Sequence, residues 1–150
     1  MGLWGRFWRL SGPERRLAVE AAMAVALTRM GLRVAGYSSW ISLAARLTPN
    51  KKSFQPNKQP VERIATMLNA TARHLPFQAT CLERSIGLWW MLRRRGYYAE
   101  LRLGARVAAE RFEAHAWIER GGVVLNDAAG HYLSFSSFPQ RLTDPGPEAQ

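Results

Sequence analysis

The chain has 150 residues, 47% of them hydrophobic, which is enough for one real apolar core. Its single cysteine excludes an internal disulfide and any multi-thiolate metal cluster, and a free thiol fits a reducing compartment. The net charge of +10 is carried mostly by arginine and fits an acidic partner or an anionic surface; no zinc-finger, homeodomain or single-strand-binding signature accompanies it, so no nucleic acid partner is expected.

The chain opens with Trp4, Phe7 and Trp8 interleaved with Arg6 and Arg9. No small-residue cleavage site follows a clean apolar run, so this is not a secretory signal, and a cytoplasmic location is expected. Such a cluster can lie on a membrane surface, dock a partner or pack back on the domain; partner docking through Trp4 and Trp8 is the expectation here. Ser11-Gly12-Pro13-Glu14 is a capping box with proline in the first turn, and it predicts a helix to about Met30. Its most apolar stretch, Leu17 to Leu27, contains Glu20 and is too short to cross a bilayer before Arg29, Gly31 and Arg33, so it reads as a core helix.

Tyr37 to Leu47 predicts a second helix, carrying Trp40, Ile41, Leu43 and Ala44. Asn50 to Pro60, with its prolines and lysines, reads as a surface loop. Pro60 opens a third helix with Val61, Ile64, Met67 and Leu68 on one face, broken at His74-Leu75-Pro76-Phe77. Thr80-Cys81-Leu82-Glu83 is a second capping box; the helix it starts carries Leu82, Ile86, Leu88, Trp89 and Leu92, and Gly96 closes it. Gly87 inside that helix suggests another element packed close against it.

After Gly96 the pattern alternates. Strands are predicted over Tyr98 to Val107, Phe112 to Glu119, Val123 to Asp127 and, briefly, Tyr132 to Phe135. Helices followed by an antiparallel sheet make an α+β chain. The expected divisions are a helical region with a basic loop at 1–60, a catalytic core at 61–140 and a disordered tail at 141–150.

Cys81 in the first turn of a capped helix sits where unpaired N–H groups and the helix dipole favour an anion, and the thiolate is the nucleophilic form of cysteine. A lone cysteine is more often an inert core residue; the helix-start position favours the nucleophile. If Arg120-Gly121-Gly122 forms a three-residue hairpin loop, Glu119 faces Val123, Trp117 faces Leu125 and His115 faces Asp127, with the Cβ atoms of each pair about 5 Å apart. A two-residue loop at Gly121-Gly122 pairs His115 with Ala128 instead. Cys81, His115 and Asp127 then supply nucleophile, base and orienting carboxylate. The Cys81 backbone N–H and the Gln78 side-chain amide are candidate oxyanion donors. His74 reads as a residue complementing a helix end, and His131, after Gly130, as a loop residue. A zinc site at Cys81, His115 and Asp127 lacks paired-ligand spacing, so no metal is expected.

The segments Cys81-Leu82-Glu83-Arg84-Ser85, Leu92-Arg93-Arg94-Arg95-Gly96, Phe112-Glu113-Ala114-His115-Ala116-Trp117-Ile118-Glu119 and Gly122-Val123-Val124-Leu125-Asn126-Asp127 resemble the transglutaminase-like cysteine leader peptidases of lasso-peptide biosynthesis. The resemblance covers roughly Leu75 to Phe138. It implies a transglutaminase-like, papain-like fold with Cys81, His115 and Asp127 as the triad. The implied activity is removal of the leader from a ribosomally made precursor peptide, after which a separate synthetase closes a macrolactam. It also implies a small leader-recognition protein as partner, this chain being the stand-alone peptidase of a split pair, and no cofactor; no phosphate-binding loop accompanies the triad that would support a role for ATP. Phe77, Trp117 and the helical half are expected to line the peptide groove. Two other readings stand beside it: acyl transfer to an amine by the same triad, and a non-catalytic scaffold for peptide and partner.

Overall fold

The computed structural model describes residues 3–48, 59–127 and 130–137. The expected basic loop at Asn50 to Pro60 falls largely outside these residues, as do the tail at 141–150 and the side chain of Trp4. Among the described residues five helices precede the sheet: α1 (Leu3–Arg9), α2 (Gly12–Val34), α3 (Gly36–Arg46), α4 (Gln59–Ala72) and α5 (Cys81–Arg94). The strands are β1 (Glu100–Ala108), β2 (Arg111–Arg120), β3 (Val123–Val124) and β4 (Ser136–Ser137), in the antiparallel order β3-β2-β1-β4. The α+β arrangement read from the sequence is the one observed.

Capping chemistry sets the helix ends. At α2 the Glu14 carboxylate accepts from the Ser11 N–H and hydroxyl at 2.9 and 2.8 Å, and these bonds hold its carboxyl below the ordinary value. At α5 the Thr80 hydroxyl accepts from the Glu83 N–H at 3.2 Å, while the Glu83 carboxylate accepts from the Thr80 N–H at 3.0 Å. The α5 C-terminus closes with Gly96 in the left-handed region (φ 77°), Gly96 N–H bonded to Arg93 O and Tyr97 N–H to Leu92 O. These two bonds satisfy carbonyls that the helix leaves open.

One core is shared by helices on both sides of residue 60. Ala21, Ala24 and Val25 of α2, Ile41 and Ala44 of α3, Val61, Ile64 and Leu68 of α4, and Ile86, Leu88 and Leu92 of α5 form one buried cluster with Leu101, Ala116 and Ile118 of the sheet. Gly87 lets α5 approach α2: a Cβ there would lie 3.4 Å from Val25 Cγ2 and 3.5 Å from the Ala24 carbonyl carbon. The sheet presents Leu101, Leu103, Ala116 and Ile118 to the helices, with Leu103 partly buried. Alternation puts Arg102, Gly104, His115 and Trp117 on the opposite face.

The hairpin register differs from the three-residue-loop expectation. Glu119 pairs with Val124 and Arg120 with Val123, so the loop is the two residues Gly121 and Gly122, both at positive φ (55° and 77°). Two left-handed residues give the turn twist that matches paired strands, and consecutive glycines adopt it without strain. The ladder stops at Val124, short of the predicted Asp127. The strand predicted at Tyr132 to Phe135 is a 3₁₀ turn over His131–Ser134, and the short β4 that pairs with β1 follows it.

Glu20 of α2 ties down the end of α5. Its carboxylate accepts from Arg95 at 2.8 and 2.6 Å, and this bonding, with the charges of Arg95 and Arg94, lowers its carboxyl below the ordinary 4.5 despite partial burial. A lowered folded-state value stabilises the fold above about pH 4.5, and the contribution is lost as the pH falls further. Glu20→Gln is therefore expected to cost roughly 0.5–1 kcal/mol at neutral pH, a modest figure for a partly solvated pair. The difference from the parent chain should vanish in strong acid. Urea midpoints measured at several pH values check this; a pH-independent difference contradicts the ion-pair origin.

Candidate active site

Cys81 is the first residue of α5, half-buried against the core, and its thiol is free. The loop before it is held from a distance by Arg29 of α2. The Arg29 guanidinium donates to Gln78 O at 3.2 Å and to both Glu83 carboxylate oxygens at 3.3 Å, and it lies 4.6 Å from the Phe77 ring centroid. Glu83 is thus both half of the capping box and the counter-ion of Arg29, which explains an acidic side chain only 8% exposed. Gln78 is exposed three residues before Cys81 and Phe77 is half-buried.

His115 and Asp127 meet. His115 Nε2 lies 3.1 Å from Asp127 Oδ1, and the two side chains are only 12% and 7% exposed. The N–H is turned off the line to the oxygen, so the pair touches without a well-aligned hydrogen bond. Such bonds commonly tighten only when substrate arrives. The carboxylate contact falls on Nε2 rather than on Nδ1.

The pairing arises without the predicted register. Beyond Val124 the chain bends, and the Asn126 side chain does what a strand would have done: its Oδ1 accepts from the Ile118 N–H at 2.7 Å. Its Nδ2 donates to Ser85 Oγ at 2.8 Å, and Ser85 Oγ in turn donates to Ala116 O at 3.0 Å. Ser85 is fully buried. This relay ties α5, β2 and the Asp127 segment together, and neither Ser85 nor Asn126 was among the residues expected to matter. Ser85 is one turn beyond Cys81 on the same helix face, and through Ala116 O it ties α5 to the strand residue next to His115. Beside His115, β2 has no strand on its outer edge among the described residues. Among the described residues no hydrogen bond joins Cys81 to His115.

Aromatic rings enclose the imidazole. Trp117 stacks on it with centroids 5.8 Å apart and planes 25° apart, Phe135 lies at 5.0 Å and His131 stands edge-on at 4.9 Å. Trp117, expected to line the peptide groove, is 3% exposed and touches His115 rather than solvent. Gly104, directly across from His115 in the ladder, makes room for this: a Cβ there would lie 2.9 Å from Phe135 Cβ and 3.0 Å from the Trp117 ring. His131, read as a loop residue, turns out to face the pair, and His115, Asp127 and His131 have ligand-type atoms within 4.8 Å of one another; Cys81 is not in that cluster. Trp8 is 64% exposed, with Arg15 5.4 Å from its ring.

The sequence profile described as the transglutaminase-like superfamily matches residues 24–139, from within α2 to beyond β4. The chain belongs to the transglutaminase-like superfamily. Neither the curated proteins nor the solved structures yield a match. The superfamily's enzymes generally act through a cysteine, as peptidases or acyl transferases. The transglutaminase-like region includes every residue of the pair and relay just described, together with Cys81 and Arg29. No helix among the described residues is long and apolar enough to cross a membrane.

Proposed function

We propose that this transglutaminase-like chain is a cysteine peptidase that removes the leader from a ribosomally synthesised lasso-peptide precursor. The observation that carries the reading is the His115–Asp127 contact at 3.1 Å, in a chain whose cysteine heads a capped helix. In the proposed cycle the Cys81 thiol gives its proton to His115 and the sulfur attacks the scissile carbonyl. The Cys81 backbone N–H and the Gln78 amide donate to the oxyanion. The tetrahedral adduct collapses to a thioester as the imidazolium returns the proton to the leaving amine. Water, deprotonated by His115, then releases the acid, and Asp127 holds the ring throughout.

The reaction takes place in the cytoplasm, with a small leader-recognition protein as partner and a separate synthetase closing the macrolactam. A docking surface of suitable chemistry supports the partnership. Val19, Met23, Leu27, Met30 and Val34 form an exposed apolar stripe along α2. Part of it is a groove rimmed by Arg15, Arg16 and Arg94, and Arg15 also covers Trp8, so Trp8 continues the stripe.

Mass spectrometry of a leader-core precursor incubated with the chain and its leader-binding partner tests the reading. Separate leader and core masses are expected, with no cleavage by a folded Cys81→Ala variant. Iodoacetamide should alkylate Cys81 fast near neutral pH. Transfer of the acyl group to an added amine in preference to water would make the protein an acyl transferase. A cleavage that survives Cys81→Ala, or an intact precursor throughout, overturns the proposal.

A further inference from the structure

We propose that His115, Asp127 and His131 form a binding site for a divalent transition metal ion, zinc being the best fit, and that a bound ion would occupy the proposed base. The second half of that statement rests on the peptidase reading; the site itself does not.

The donor set comes first. Two imidazoles and one carboxylate suit zinc, copper or nickel, whereas calcium and magnesium take oxygen ligands. Bonds of zinc to nitrogen and oxygen near 2.0–2.1 Å in a tetrahedron set neighbouring ligands about 3.3 Å apart. His115 Nε2 and Asp127 Oδ1, at 3.1 Å, already stand at that spacing. One ligand-type atom from each of the three residues lies within 4.8 Å of the others, at most about 1.5 Å beyond that spacing.

The environment separates two fixed ligands from one adjustable ligand. Trp117 and Phe135 clamp the His115 ring, whose Nε2 is buried and makes no aligned hydrogen bond. Asp127 follows Asn126, which is anchored to Ile118 N–H and Ser85 Oγ. Outer contacts of this kind orient ligands for a metal. His131, by contrast, is exposed at the start of the 3₁₀ turn, after Gly130 in the left-handed region (φ 78°). Its side is open to solvent, which gives the ion an entry path. Three protein ligands leave a fourth position for water.

An ion held in this way takes the nitrogen that Asp127 orients and the carboxylate that orients it, so His115 and Asp127 are no longer available to the thiol. This distinguishes the site from a thiolate–imidazole site at Cys81.

The test is titration of the untagged full chain with Zn²⁺ against a chromogenic zinc indicator, repeated with Co²⁺ to read the ligand field. One ion per chain and a tetrahedral, sulfur-free cobalt spectrum are expected. His131→Ala should weaken binding by about tenfold or more; its side chain is exposed, and near-ultraviolet circular dichroism confirms that the variant is folded. Asp127→Asn should weaken binding too, whereas His74→Ala and Cys81→Ala should leave it unchanged. Absence of binding overturns the proposal, and so does His131→Ala binding as tightly as the parent chain. A cobalt spectrum with a thiolate band that Cys81→Ala removes overturns it as well. No readout depends on peptide cleavage, so the site and the peptidase reading fail separately.

Discussion

Asp127→Asn is expected to lower kcat on the leader-core precursor by roughly 10³–10⁴-fold while the fold survives. The amide nearly matches the carboxylate in size, and Asn126, the residue before it, anchors this segment to Ile118 N–H and Ser85 Oγ. What changes is the partner of His115 Nε2, 3.1 Å away. A carboxylate only accepts, so it selects the ring form with the proton on Nε2 and Nδ1 free to receive the thiol's proton. It also stabilises the imidazolium that forms. An asparagine can turn its NH₂ toward the ring and select the opposite form. His115→Ala removes the base itself and should abolish turnover, so the asparagine variant should fall between parent and alanine. Steady-state kinetics with circular dichroism on each variant give the comparison. A folded Asp127→Asn chain with full activity removes Asp127 from the proposed mechanism.

The parts of this arrangement that were legible in the sequence are those fixed within a few residues. Thr80 and Glu83 announce the start of α5 because the capping box closes over three positions, and Gly96 announces its end because one left-handed residue completes the cap. The hairpin was ambiguous for an equally local reason. Arg120-Gly121-Gly122 offers a left-handed glycine to either loop length, and only strand twist favours the two-residue turn. The nearness of His115 and Asp127 therefore could not come from register. It arises because β3 stops at Val124 and Asn126 lends a side-chain acceptor to Ile118 N–H. That substitution of side chain for backbone leaves no pattern beyond a polar residue ending an apolar run. Arg29 was illegible for another reason: its partners Gln78 and Glu83 lie 49 and 54 residues away, and only packing of α2 on α5 brings them together. His131 and Phe135 follow the same rule, since a short apolar run such as Tyr132 to Phe135 does not distinguish a strand from a turn.

Asn126→Ala is expected to cost about 3 kcal/mol of stability and to reduce turnover as well, because one side chain serves both ends of the relay. Its removal strands the Ile118 N–H, on a residue that is fully buried, and takes a donor from Ser85. Leaving a buried donor unsatisfied costs about 1–3 kcal/mol, and the second lost bond adds about 1. Ser85→Ala should be milder, since Asn126 keeps its bond to Ile118. The double variant should lose less than the two single effects combined, the shared hydrogen bond being removed only once. Urea unfolding of the four chains measures this coupling. Kinetics in conditions where every variant is folded then show whether the relay also sets the place of Asp127: a fall in kcat with little change in KM is the sign of a misplaced carboxylate. If the effects on stability simply add, the relay is no unit. If the folded Asn126→Ala chain turns over normally, Asp127 holds its position without the residue before it.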